Sequence, residues 1–262
     1  MNNQSALLIA AILILTASCS KDATSPADTG TGSLSPYVAA LDHPERSEED
    51  RARDAGRKPA DVLEFFGVAP GMTVLDMFSG GGYYTEILSR LVGSEGTVIA
   101  HTNSAYATFV GEEATRRYAN DRLPNVEILL AENNELSLPP ESFDAALMVL
   151  AYHDIYYVDP ENGWPTIDGP RLVAELYRGL RPGGVLGVVD HTAAAGSPRE
   201  TGNTLHRIDP EIVITELEAA GFVFQGGSDV LRNVDDDHRL NMAAPEVRGK
   251  TDRFVFRFSK PR

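Results

Sequence analysis

The sequence predicts an α/β protein, a mostly parallel sheet with helices on both faces, and three observations carry that prediction. Short apolar runs alternate with amphipathic segments of helical length, the pattern of repeated βα units. One run, Ala145–Leu150, is apolar nearly throughout, as expected of a strand covered on both faces. The last two strand-like runs are joined only by the loop Gly226–Asp252, which suits a final strand running antiparallel to the rest.

Each element follows from its own residues. The charge-dense stretch His43–Lys58 reads as a solvated helical segment. Pro59 opens a short helix that buries Val62, Leu63, Phe65 and Phe66 and closes at Gly67. The first predicted strand is Thr73–Met77 and the helix after it Tyr83–Val92. Gly93 and Gly96 bracket a turn into the second strand, Thr97–His101. A helix over Ala105–Tyr118 precedes the third strand, Val126–Leu130, and Ala145–Leu150 is the fourth. Leu172, Val173, Leu176 and Leu180 recur at helical spacing, which predicts a helix over Pro170–Leu180. Arg181-Pro182-Gly183-Gly184 reads as a tight turn into the fifth strand, Val185–Asp190. The helix Pro210–Ala220 ends at Gly221. The sixth strand is Phe222–Gln225 and the seventh Phe254–Phe258, which alternates in and out.

With 262 residues, 42% of them hydrophobic, the chain can bury one substantial core. A net charge of −15 sets it against the phosphates of nucleic acid, so a small-molecule substrate is expected. The apolar run Ala6–Ala17 is too short to span a bilayer, which takes roughly 20 helical residues. It leads into Thr16-Ala17-Ser18-Cys19, and Cys19 is the only cysteine. Small residues before a lone cysteine resemble the lipobox of bacterial lipoproteins, although MNNQS lacks the usual Lys or Arg and Thr16 stands where Leu is common. That resemblance implies a signal peptide over 1–19 and lipidation at Cys19. The protein would then be exported, periplasmic or at the cell surface, and held to the membrane by the lipid rather than by a spanning helix. Residues 20–36, rich in Ser, Thr, Gly, Ala and Pro, read as a flexible linker, leaving 37–262 as the folded domain.

The most informative stretch is Val74–Glu86, VLDMFSGGGYYTE. An apolar strand ends in Asp76, passes through Gly80-Gly81-Gly82 and enters an amphipathic helix. Glycines let a ligand approach the backbone closely, and the start of a helix offers unpaired N–H groups. No GKS or GKT follows, which excludes a P-loop. Thr85 stands where a dinucleotide fingerprint would want a third glycine, and no acidic residue ends the second strand, which argues against an NAD(P) reductase.

An aspartate before a glycine-rich turn resembles the first motif, DxGxGxG, of class I S-adenosylmethionine (AdoMet) methyltransferases. Asp76, Gly80 and Gly82 match, and Phe78 replaces the first glycine. The stretches AENNELSLPPESFDAALMVLAYHD and ELYRGLRPGGVLGVVD and the C-terminal hairpin extend the resemblance over most of residues 59–262. It implies a Rossmann-like sheet of seven strands with an antiparallel C-terminal strand, and AdoMet lying across the ends of strands one to four. Carried over by position, Asp76, Gly80, Gly81 and Gly82 would hold the methionine part, and Glu132 and Asn133 the adenine. Leu150 and Ala151 would line the cofactor. The acidic residue that usually holds the ribose is replaced by Thr102 and Asn103, neutral acceptors weaker by about 1 kcal/mol.

Transfer of a methyl group to oxygen or nitrogen needs in-line placement and often a base. His153 and Asp154 after the fourth strand and His191 after the fifth are the catalytic candidates, with Tyr152 and Asp190 beside them and His206 a lesser one. Without HxxxH or HxH spacing, no metal site is expected. The competing reading is a non-catalytic ligand-binding protein that keeps the fold. Tyr83 and Tyr84 are read mainly as packing, and Trp164 as either a lid over the pocket or a surface plug.

Overall fold

A computed structural model describes residues 35–262; the expected signal peptide, Cys19 and residues 20–34 of the expected linker lie outside the described residues. The first described element is helix α1 (Pro36–Leu41), followed by α2 (Glu48–Arg57) and α3 (Pro59–Phe66). The alternation that follows is β1 (Thr73–Met77), α4 (Tyr83–Val92), β2 (Thr97–Thr102), α5 (Ser104–Val110), α6 (Glu112–Tyr118), β3 (Val126–Leu130) and β4 (Phe143–Val149). The second half adds α7 (Gly169–Gly179), β5 (Leu180–His191), α8 (Thr201–Leu205), α9 (Pro210–Ala219), β6 (Val223–Ser228) and β7 (Arg253–Ser259).

The seven strands form one sheet in the order β3-β2-β1-β4-β5-β7-β6. β1 to β5 pair in parallel, and β7 runs antiparallel between β5 and β6. This is the Rossmann-like α/β fold expected from the sequence. Successive residues of a strand point to opposite faces, so Leu75 and Met77 enter one core while Val74 enters the other. On the first face Leu172 and Leu176 of α7 and Val213 and Leu217 of α9 cover the sheet; on the second, Leu63 and Phe66 of α3 and Ile87 and Leu88 of α4 do so. No helix among the described residues is long and apolar enough to cross a membrane.

Three elements depart from the sequence expectation. The helix expected over Ala105–Tyr118 is two helices, broken at Gly111, whose φ of 46° and ψ of −117° no helix can hold. The Arg181–Gly184 turn is an irregular stretch inside a longer β5: Leu180 already pairs with Phe143, and Gly183 and Gly184 bond to Lys260. The charged stretch around α2 is helical and solvated on one side only. Arg46 and Asp50 are buried, Arg46 forms a two-pronged pair with Asp54, and Asp50 meets Arg117 of α6 at 2.6 Å.

Candidate functional site

The strand β1 delivers Asp76 to the carboxyl edge of the sheet, and the turn after it is strained as its sequence requires. Gly80 and Gly82 have φ of 56° and 80°, while Phe78, standing where the family motif has glycine, holds φ 56° without being one. Its ring is retained by packing against His101, Tyr106 and Trp164 at 5.4–6.0 Å between centroids. Asp76 is 3% exposed, and one carboxylate oxygen accepts the Thr85 hydroxyl at 2.6 Å. Among the described residues no Lys, Arg or His forms an ion pair with it. Burial therefore raises its pKa to about 6, only partly offset by the Thr85 bond.

Helix α6 covers the turn. A Cβ on Gly82 would meet the Tyr118 hydroxyl at 2.5 Å, and one on Gly81 would collide with the Glu113 carboxylate. Arg117 donates to the Gly81 carbonyl and at the same time binds Asp50 and Glu86. Among the described residues the Tyr118 hydroxyl is buried and makes no well-formed hydrogen bond, with Thr85 and Ser79 beside it. Beside it, Ser79, Gly80 and Thr102 face α5 and α6 across a cavity of about 260 Å³. Thr102 and Gly80 thus line open space. Asn103 and Asn133 are engaged with the protein itself. Asn103 caps α5 by accepting from Tyr106 N, and its amide donates to Asn133. Asn is a favoured N-cap, which accounts for Asn103, while Asn133 is buried as the acceptor of the Asn103 amide. Glu132 accepts from Ser104 N with one oxygen.

A larger cavity, about 720 Å³, opens on the other side of α5. Tyr106, Phe109, Leu150, Tyr157 and Trp164 give it an aromatic and apolar wall, and His153, Asp154 and His206 supply its polar corner. Trp164 belongs to this wall, packed edge-on against Tyr106 and Tyr157 and donating its indole N–H to the Asp154 carbonyl. Because Tyr106 and Trp164 also pack on Phe78, the wall of this cavity and the glycine turn share one aromatic cluster.

The polar corner is held in place from behind. Asp190, fully buried at the end of β5, accepts from His153 N and from His153 Nδ1, both at 2.7 Å. Burial lowers the pKa of His153, but the carboxylates of Asp190 and Asp154 outweigh it and hold the value at about 9. Tyr106 donates its hydroxyl to Asp154 at 2.7 Å. His206, which the sequence ranks below His191, lies on the cavity wall 3.8 Å from Asp154. His191 sits outside that wall. It bonds Thr251 through Nδ1, and burial together with the positive charge on His153 pushes its pKa well below the ordinary value. Tyr152 is buried against Glu216, and Tyr83 packs under Arg46, Arg53 and Arg57 while donating to Asp54.

Comparison with known proteins agrees with this fold. The family described as methyltransferase domain matches residues 75–188, under half of the chain but spanning β1 to β5. A ubiquinone/menaquinone biosynthesis C-methyltransferase UbiE of Marinomonas sp. is 26% identical over 191 residues, 72% of this chain and 68% of that protein. The Escherichia coli counterpart is 30% identical over 129 residues, 49% of this chain and 46% of its own length. The chain therefore matches under half of the E. coli protein. Among solved structures, a SAM-dependent methyltransferase from Aquifex aeolicus superposes with a TM-score of 0.55 at 24% identity, covering 86% of this chain and 98% of that one. One from Mesorhizobium loti does so at 0.54 and 16% identity, covering 79% and 100%. Similarity at this level establishes the shared fold.

Proposed function

We propose that the protein is an S-adenosylmethionine-dependent methyltransferase acting on a small molecule, exported and anchored by a lipid on Cys19. The observation that carries the reading is Asp76: a buried carboxylate with no cationic partner among the described residues, at the lip of a glycine turn, is the counterpart of a cationic nucleoside. The residues present fit AdoMet. Gly80 has open space where a side chain would stand, Thr102 offers a hydroxyl across the cavity, and the Tyr118 hydroxyl lines the same place. Entry at the turn requires α6 to release its contacts with Gly81 and Gly82.

When bound, AdoMet supplies an electrophilic methyl group on a sulfonium. The chain's own part is to place the acceptor and manage its proton. The aromatic cavity suits a flat or ring-containing acceptor, in keeping with the quinone-pathway names of the relatives. As the acceptor atom gains the methyl group it loses a proton, and the cluster of His153, Asp154 and His206 is where the cavity wall can stabilise that loss.

Release of S-adenosylhomocysteine, followed with a panel of hydroquinones and catechols as acceptors, tests the reading. His153→Ala is expected to lower turnover about 10²-fold, whereas His191→Ala, outside the wall, should lower it far less. Equal losses in both would refute the placement of the acceptor. For anchoring, Cys19→Ser is expected to move the protein from the membrane fraction to the soluble one; continued membrane association of that variant would refute lipidation.

A second reading, a ligand-binding protein that keeps the fold without transfer, draws on the packing of α6 over Gly81 and Gly82. AdoMet binding without S-adenosylhomocysteine release from any acceptor would favour it.

A further inference from the structure

We propose that His153, Asp154 and His206 hold a divalent transition-metal cation of the zinc and iron(II) class at the polar corner of the 720 Å³ cavity. Each of the three offers one ligand atom, and the three atoms lie within 4.8 Å of one another. His153 Nε2 is 3.3 Å from Asp154 Oδ1, and His206 Nδ1 is 3.8 Å from the same oxygen. Metal–ligand bonds of 2.0–2.2 Å place donor atoms of a tetrahedral site roughly 3.3 Å apart, so a shift of about 1 Å in His206 closes the set. His206 is free to make it: the side chain is a quarter exposed, at the end of the short helix α8.

What separates this cluster from a chance meeting of polar groups is the layer behind it. A metal-ligating histidine characteristically gives its other ring nitrogen to a carboxylate, and ligating carboxylates are themselves hydrogen-bonded. Asp190 accepts from His153 Nδ1 at 2.7 Å, which turns Nε2 toward Asp154 and the cavity. Tyr106 donates to Oδ2 of Asp154, leaving Oδ1 to face the two rings. Two carboxylates, Asp154 and Asp190, are buried here, and among the described residues neither forms an ion pair with Lys or Arg; histidine rings are their only ion-pair partners. A divalent cation compensates that charge. Two imidazoles and one carboxylate leave coordination positions open, and they face the cavity. An acceptor oxygen bound there would lose its proton more easily, because coordination to a cation lowers its pKa.

The sequence does not announce the site, since its ligands come from two separate loops rather than one helix, and the carboxylate that orients His153, Asp190, sits on β5. Metal binding at this corner goes beyond methyl transfer and stands without it, because its test uses no AdoMet. Full-length protein, stripped with chelator, is titrated with Co²⁺ at neutral pH and followed by visible absorption, then challenged with Zn²⁺. The expected result is one Co²⁺ per chain, displaced by Zn²⁺. His206→Asn keeps a residue type that tolerates the φ of 49° at this position. It is expected to weaken binding beyond the roughly 10–100-fold typical of losing a group that only supports a ligand, and Tyr106→Phe to weaken it within that range. His238→Ala, whose ring pairs with Asp252 elsewhere, is expected to leave binding unchanged. Absence of stoichiometric Co²⁺ binding to the wild-type protein overturns the proposal, as does binding that His206→Asn leaves intact while its circular dichroism remains native.

Discussion

Asp76→Asn is expected to stabilise the ligand-free protein at pH 7 while removing its affinity for AdoMet. In the folded state burial raises this carboxyl from its ordinary 3.8 to about 6, so ionising it costs about 3 kcal/mol there relative to the unfolded chain. The sign follows from the direction of the shift. An acid with a raised folded pKa contributes nothing unfavourable below pH 4, where both states are protonated, and weakens the fold as pH climbs through 6. The amide keeps the shape and can still accept the Thr85 hydroxyl, though burying its N–H groups recovers less than the full amount, leaving a gain of about 2 kcal/mol. Denaturant unfolding of both proteins at pH 7 and pH 4 checks it. The gap should be present at the higher pH and shrink to a fraction at the lower. A less stable Asn variant at pH 7, or a gap indifferent to pH, would show that Asp76 is not an uncompensated charge. Stability held back at a binding residue is the pattern expected of a functional site.

Arg117→Met is expected to destabilise the protein by about 3 kcal/mol, because breaking a buried ion pair leaves its partners charged and unpaired. Arg117 is 7% exposed and joins Asp50, Glu86 and the Gly81 carbonyl, so one side chain ties α2, α4 and the glycine turn to α6. Asp50 keeps Arg53 and Glu86 keeps Arg122, which places the loss at the lower end of the usual range. Burial pushes the Asp50 carboxyl up, but Arg117 and Arg53 outweigh it and lower the pKa to about 2. That contribution is present above the ordinary carboxyl pKa and disappears as pH falls from about 4 to 2. The triple variant Asp50→Asn, Glu86→Gln, Arg117→Met should recover most of the lost stability. A single-variant loss under about 1 kcal/mol, measured by denaturant unfolding, would refute the network.

The sheet was legible in the sequence because its determinants are local. The VLDMFSGGGYYTE stretch contains a strand, its terminating carboxylate, the glycines that the turn conformation demands and the start of a helix. Where partners are distant, the sequence says less. The charge run at 43–58 looks solvated because Arg117 lies 67 residues from Asp50 and only the fold brings them together. His191 and His206 look alike as loop histidines; their different surroundings depend on Thr251 for one and on the wall of Tyr157 and Asp154 for the other. The Asn103 and Asn133 pair is a cap whose meaning depends on the neighbouring strand end. A signal was present for His206, since it falls with His153 and His191 in the predicted active-site loops, and proximity in space is what that pattern leaves unspecified.

Titration calorimetry of AdoMet and S-adenosylhomocysteine into the full-length protein at pH 7.5 tests the central claim most directly. One saturable site for each ligand is predicted in the wild-type protein and none in Asp76→Asn, with both proteins folded. Absence of heat at millimolar ligand in the wild type, or equal affinity in the two proteins, would contradict it.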